Sequence, residues 1–85
     1  MLTAIVLVKA EPGKVATLGP ALAAVEGVSE VYSVAGDEDL VVIVRVNDYE
    51  RVDDIVTEHV APMGGIIETR TLIAFRQYDP TDVGF

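Results

Sequence analysis

Two short segments, Leu2 to Ala10 (LTAIVLVKA) and Leu40 to Val46 (LVVIVRV), are aliphatic and largely β-branched on both parities of a strand. In the first, Ala4, Val6 and Val8 alternate with Ile5 and Leu7. In the second, Leu40, Val42 and Val44 alternate with Val41 and Ile43. Successive side chains of a strand point to opposite faces, so a sheet built from these strands has two apolar faces to remove from water. The runs are a handful of residues long, far short of the roughly 20 that a membrane-spanning helix needs. Met1 to Ala10 also lacks the basic start and small-residue cleavage site of a signal peptide, which predicts a soluble, cytoplasmic protein.

The rest of the chain supplies cover for one of those faces. Glu11-Pro12-Gly13 stops the first strand. Val15, Leu18, Leu22 and Val25 then recur at three- and four-residue steps, which predicts a helix ending at Gly27. Gly19-Pro20 lies inside that helix and predicts a kink or break, because proline removes a hydrogen bond and pushes on the preceding turn. Val28 to Val34 alternates and reads as the second strand, turning through Ala35 to Asp39 into the third, Leu40 to Val46. Asn47 and Glu50 form a capping-box pattern ahead of a stripe of Tyr49, Val52, Val56 and Val60, closed by Pro62 and Gly64-Gly65. Ile66 to Tyr78 reads as a long fourth strand, and Asp79 to Phe85 as a tail without a period.

The order β-α-β-β-α-β predicts an α+β, ferredoxin-like fold: a four-stranded antiparallel sheet with both helices on one face. Residues 1–78 form the single domain, and 79–85 the tail. With 85 residues in all, no segment remains to cover the second face, and a Val, Ile and Leu surface of that size exceeds what a soluble monomer tolerates. A second copy is therefore expected there: a homodimer with sheets packed face to face, extended by pairing through the fourth strand. Light scattering tests this, a monodisperse 9.1 kDa species being the refutation.

Composition removes several functions. Six Lys and Arg against fourteen Asp and Glu give a net charge of −8, which repels a nucleic-acid backbone. The chain has no cysteine, so neither a disulfide nor a thiolate metal site is expected. Ser29 and Ser33 sit in no nucleophile-elbow context. The only histidine, His59, reads as a surface residue near a helix C-terminus rather than a catalyst. Gly64-Gly65 has none of the spacing of a phosphate loop, so no nucleotide cofactor is expected.

Two polar spots remain. Asp37-Glu38-Asp39, between Gly36 and Leu40, sits at a hairpin tip. It has three readings: solvated turn acids bonding their own backbone; a calcium site, for which the alternating ligand pattern is missing; or a site for a small zwitterion, with glycine-turn N–H groups taking a carboxylate and an aspartate such as Asp39 taking an ammonium. The second spot, Glu68-Thr69-Arg70-Thr71 followed by Leu72-Ile73-Ala74-Phe75, reads by itself as an outward ladder with edge-protecting charges.

The segments VYSVAGDEDLVVIVRV (Val31 to Val46) and TRTLIAF (Thr69 to Phe75), with AIVLVKAEPGK before them, resemble the effector-binding (RAM) domain of the Lrp/AsnC family of amino-acid-responsive regulators. The resemblance spans roughly Leu2 to Tyr78. The chain begins at the first strand, without the helix-turn-helix of those regulators, and so is similar to stand-alone members. The resemblance implies dimerisation through the sheets, assembly into rings of eight or ten subunits, and an amino acid held between dimers. It places Gly36, Asp37, Asp39 and Leu40 in the ligand loop, whose backbone would hold the carboxylate while Asp39 holds the amino group or the loop shape. It places Thr69, Thr71, Leu72, Ile73 and Ala74 in the segment that shapes the pocket or transmits its occupancy. Glu38 stands where the family usually carries an aromatic, implying either a pocket for a polar or basic side chain or a loss of binding. Gly19-Pro20 departs from the family's uninterrupted helix.

The functional expectation is a non-enzymatic amino-acid-sensing and oligomerisation module, acting with full-length Lrp/AsnC regulators or on another protein. The alternatives are a small dimeric ferredoxin-like monooxygenase or isomerase, for which Tyr32, Tyr49 and His59 are the thin candidates, and a structural assembly module without ligand. The sequence assigns the tail no role; one reading lays it over a neighbouring subunit through Phe85.

Overall fold

The computed structural model describes residues 1–82. Strands β1 (Leu2–Ala10), β2 (Val28–Ser33), β3 (Leu40–Val46) and β4 (Ile66–Ala74) form one antiparallel sheet in the order β2-β3-β1-β4. The two most apolar strands are thus the central pair, in register from Leu2 opposite Val46 to Val8 opposite Leu40. Helices α1 (Val15–Ala23) and α2 (Tyr49–Asp54) lie on one face, as the ferredoxin-like arrangement requires. Under them Ala4, Val6 and Val8 of β1 and Leu40, Val42 and Val44 of β3 are buried against Leu22 and Ile55. The other parity, Ile5 and Leu7 with Val41 and Ile43, forms an open face that no helix among the described residues covers. Among the described residues no helix is long and apolar enough to cross a membrane.

Several local expectations change. No break occurs at Gly19-Pro20: α1 runs through both residues and ends at Ala23, before Gly27. Two features relieve the proline. The clash that disfavours helix ahead of a proline involves the preceding Cβ, which Gly19 lacks. Ala16, four residues back, is exposed like Pro20, so water can reach the carbonyl that the missing N–H leaves free. Gly27 instead occupies the turn into β2 with φ +98.

The cap of α2 is Asp48, not Asn47: the Arg51 N–H donates to Asp48 Oδ1 at 2.9 Å. Beyond Asp54 the chain widens into a π-helical segment, Ile55–Val60, and the Ala61 N–H bonds the Val56 carbonyl, five residues back, at 2.8 Å. Ile55 and Val60 are both fully buried. At about 100° per residue, five steps of α-helix would put them about 140° apart, and the wider turn brings both inward. Tyr49 stays largely exposed.

β2 stops at Ser33, one residue before its expected end at Val34, and β4 stops at Ala74 rather than Tyr78. Its last pair is with Thr3; the next position, Phe75, falls opposite Leu2, where β1 begins, and residues 76–78 run past the end of their partner strand. A 3₁₀ turn follows at Pro80–Asp82. Phe85 lies outside the described residues.

Candidate functional site

The loop between β2 and β3 is tied down by its own residues. Gly36 adopts φ +136, where nothing crowds a side chain, so the backbone alone calls for glycine. The Val34 N–H donates to the Asp39 carbonyl at 3.0 Å, and the Asp39 N–H to the Val8 carbonyl at 2.9 Å. The Asp39 side chain then turns back, and its Oδ2 accepts the Ala10 N–H at 2.8 Å. Asp39 therefore joins the hairpin to the end of the central strand β1, with one carboxylate oxygen already engaged.

Glu38 extends the connection to the opposite edge. Its Oε1 lies 2.7 Å from Nη2 of Arg70 on β4. The Glu38 side chain is 19% exposed and that of Arg70 62%, so the acid is held while the guanidinium keeps donors open to solvent. Gly36 and Asp37 are exposed at the tip, whereas Leu40 is buried in the core beneath it.

Strand parity divides the β4 residues. Thr69, Thr71 and Ile73 oppose the buried Val8, Val6 and Ala4, so they share the helix-covered face. Arg70, Leu72 and Ala74 oppose Leu7, Ile5 and Thr3 on the open face. Thr71 and Ile73 line a groove of about 220 Å³ with Tyr49, Val52, Asp53 and Val56. Ala74 lines a separate notch of about 440 Å³ at the far end of the open face, with Thr3, Ile5, Ile43 and Phe75. A single copy thus joins Glu38 and Asp39 to β1 and β4 but does not gather the ten predicted residues around one cavity.

Sequence reading missed a polar network on the open face. Arg45 Nη1 donates to Ser29 Oγ at 2.9 Å and lies 3.1 Å from Glu30 Oε1, while the Tyr32 hydroxyl donates to Glu30 Oε2. The Tyr32 hydrogen bond, and then the Arg45 guanidinium, hold the Glu30 carboxyl below its ordinary range. The same carboxylate pushes the Tyr32 hydroxyl up. The available signal was the two-residue step from Glu30 to Tyr32, which puts both on one face of β2. Among the described residues no polar side chain is buried, and no group of three or more His, Cys, Asp or Glu is placed to hold a metal ion.

Comparison with known proteins gives a consistent picture. The family model for the Lrp/AsnC ligand binding domain matches residues 3–83. No curated protein matches significantly. Among solved structures, TTHA0845 from Thermus thermophilus is 46% identical, covering 93% of this chain and 99% of that one, with a TM-score of 0.88. The hypothetical protein PHS023 from Pyrococcus horikoshii is 33% identical over 92% of this chain and 94% of that one, with a TM-score of 0.83. The feast or famine regulatory protein Rv3291c from M. tuberculosis, complexed with L-methionine, is 25% identical with a TM-score of 0.75; the match covers 93% of this chain and 53% of that longer one.

Proposed function

The chain belongs to the Lrp/AsnC ligand-binding domain family, and from that premise we propose that it binds a free amino acid without catalysing a reaction, and that occupancy shifts its assembly or its association with a regulatory partner. The observation that carries this reading is the docked hairpin: Asp39 fixes the loop to β1, and Glu38 reaches Arg70 on β4, so the loop assigned to the ligand is joined to the strand that carries the other assigned residues. The similar regulator from M. tuberculosis holds L-methionine.

In this reading the exposed N–H groups around Gly36 and Asp37 receive the ligand carboxylate. Asp39 serves first as the shape of the loop, since Oδ2 is committed to Ala10. Glu38 and Arg70 place charge beside the ligand, which favours a polar or basic side chain over an aliphatic one. Thr69, Thr71, Leu72, Ile73 and Ala74 transmit occupancy along β4. The pocket is completed by neighbouring copies: a homodimer forms through the open faces, and dimers assemble further into rings of eight or ten. The proposed setting is the cytoplasm, with full-length Lrp/AsnC regulators as partners. A bound ligand shifts such an equilibrium by its differential affinity, about 1–3 kcal/mol of coupling.

Isothermal titration of the chain against each of the twenty amino acids is the test. Saturable heat from at least one, with polar or basic members tightest, is expected. Silence from all at millimolar concentration overturns amino-acid sensing and leaves a structural assembly module.

A further inference from the structure

Glu38 and Arg70 form an unequal ion pair. The Arg70 side chain is 62% exposed and that of Glu38 19%, so the anion is the sheltered member and the cation lies largely in solvent. A guanidinium facing a carboxylate can make two parallel hydrogen bonds, yet here a single one forms, from Arg70 Nη2 to Glu38 Oε1 at 2.7 Å. Among the described residues Glu38 Oε2 accepts no hydrogen bond and Arg70 donates to no other group. A pair so exposed adds little to stability, because water screens it and two long side chains lose freedom in holding it. It is therefore easily exchanged.

The surroundings favour a cation at Glu38 over an anion at Arg70. Asp37 and Asp39 flank Glu38 in the loop, and Glu68 lies two residues from Arg70 on the same face of β4, opposite Lys9. These acids make the potential at this end of the sheet negative and reduce what Arg70 offers to a carboxylate. A partly sheltered charge is also screened less than an exposed one, so Glu38 discriminates more sharply than Arg70. Its position suits the loop site, because Glu38 follows directly on the exposed Gly36 and Asp37. Two residues of chain span at most about 7 Å, a distance that the four-carbon stem of a lysine-type side chain nearly matches.

We propose that Arg70 is an internal stand-in for the ligand's side chain, and that the ligand is a basic amino acid, such as lysine, ornithine or arginine, whose side-chain cation replaces the Arg70 guanidinium at Glu38. This rests on the amino-acid-binding reading above and adds to it the class of ligand and the contact that gives way. In the free chain Arg70 supplies Glu38 with a counter-charge before any ligand arrives. On binding, one cation leaves Glu38 as another takes its place, and Arg70, already mostly in solvent, is rehydrated at little cost. A neutral side chain of the same length gains nothing at Glu38, and an acidic one meets a like charge there.

Isothermal titration of the full chain with lysine, norleucine and glutamate tests this, norleucine being a side chain of similar length without the charge. Lysine is expected to bind about 10-fold more tightly than norleucine. That ratio is expected to collapse in Glu38→Gln, and to rise roughly two- to fivefold in Arg70→Ala, the share of an exposed ion pair. Norleucine as tight as lysine, glutamate tightest of the three, a ratio that survives Glu38→Gln, or one that Arg70→Ala fails to raise overturns the proposal and leaves amino-acid binding standing. Silence from lysine while another of the twenty amino acids binds does the same. Silence from all twenty overturns the underlying reading, and the proposal with it. Should Arg70→Ala misfold, NMR of the Arg70 guanidinium in the unaltered chain gives an independent readout. Its Nη signals are expected to lose the signature of the Glu38 contact as lysine is added; an unchanged guanidinium at saturating lysine overturns the proposal.

Discussion

At Gly27 two requirements fall on one missing atom. Its φ of +98 is a left-handed conformation, and a Cβ built there would stand 2.6 Å from Ile55 Cδ1 and 3.1 Å from Val46 Cγ1. Gly36, at φ +136, has open space around it. Gly27→Ala therefore combines backbone strain with overpacking and is expected to cost roughly 2–5 kcal/mol in urea unfolding at fixed protein concentration, whereas Gly36→Ala shows the backbone cost alone, about 1–2 kcal/mol. Equal losses would show that Ile55 yields freely. Glu30 makes the pH prediction at this scale. Its folded pKa is depressed, so its stabilising contribution is complete above the ordinary glutamate value of 4.5 and is lost as pH falls through the lower folded value. Carboxyl NMR titration is expected to place its midpoint below that value, and Tyr32→Phe to move it up, because the Tyr32 hydroxyl is the largest cause. A midpoint that ignores the substitution would assign the shift to Arg45.

The elements show where pattern suffices and where it fails. Strand parity in β1 and β3 is readable because each side chain's face follows from counting by two: Ala4, Val6 and Val8 turn inward, Ile5 and Leu7 outward. The second helix is readable as a helix, but its stripe is misaligned. Val52 and Val60 are buried as counted, while Ile55, absent from the α-periodic stripe, is buried and Tyr49 is exposed. A change of pitch within a helix leaves no trace in a fixed-period count. The loop at Gly36 to Asp39 is legible as a turn, yet not its attachment, because Asp39 reaches Ala10 and Glu38 reaches Arg70 across 29 and 32 residues. The rule that proline breaks a helix overstates its effect in α1, which tolerates Pro20 but lacks the hydrogen bond it removes. Pro20→Ala is expected to stabilise by about 1–2 kcal/mol, the recovered helix propensity being partly offset by a more flexible unfolded chain. A lower denaturant midpoint in that variant would mean that the proline ring contributes packing of its own.

For the whole molecule, the decisive quantity is the balance between an apolar face and a charge of −8. Each copy brings the same negative charge to an association, so the proposed dimer would form against long-range repulsion that salt screens. The contact must then come from short-range burial of Ile5, Leu7, Val41 and Ile43. Ile43→Asp, which adds another negative charge at the centre of that face, is expected to yield a species of about 9.1 kDa by light scattering, with its secondary structure intact. A dimer that survives the substitution would move the interface away from the sheet.

The attachment of Asp39 has a mechanical outcome. Three bonds fasten it to the ends of β1 and β2, and β1 is hydrogen-bonded on both sides, to β3 and β4. Whatever tugs on the hairpin tip pulls on the middle rail of the sheet, and that rail also carries Ile5 and Leu7. In the proposed assembly, a molecule no larger than an amino acid, seated at one end, would thereby gain leverage over how two copies meet along the other side.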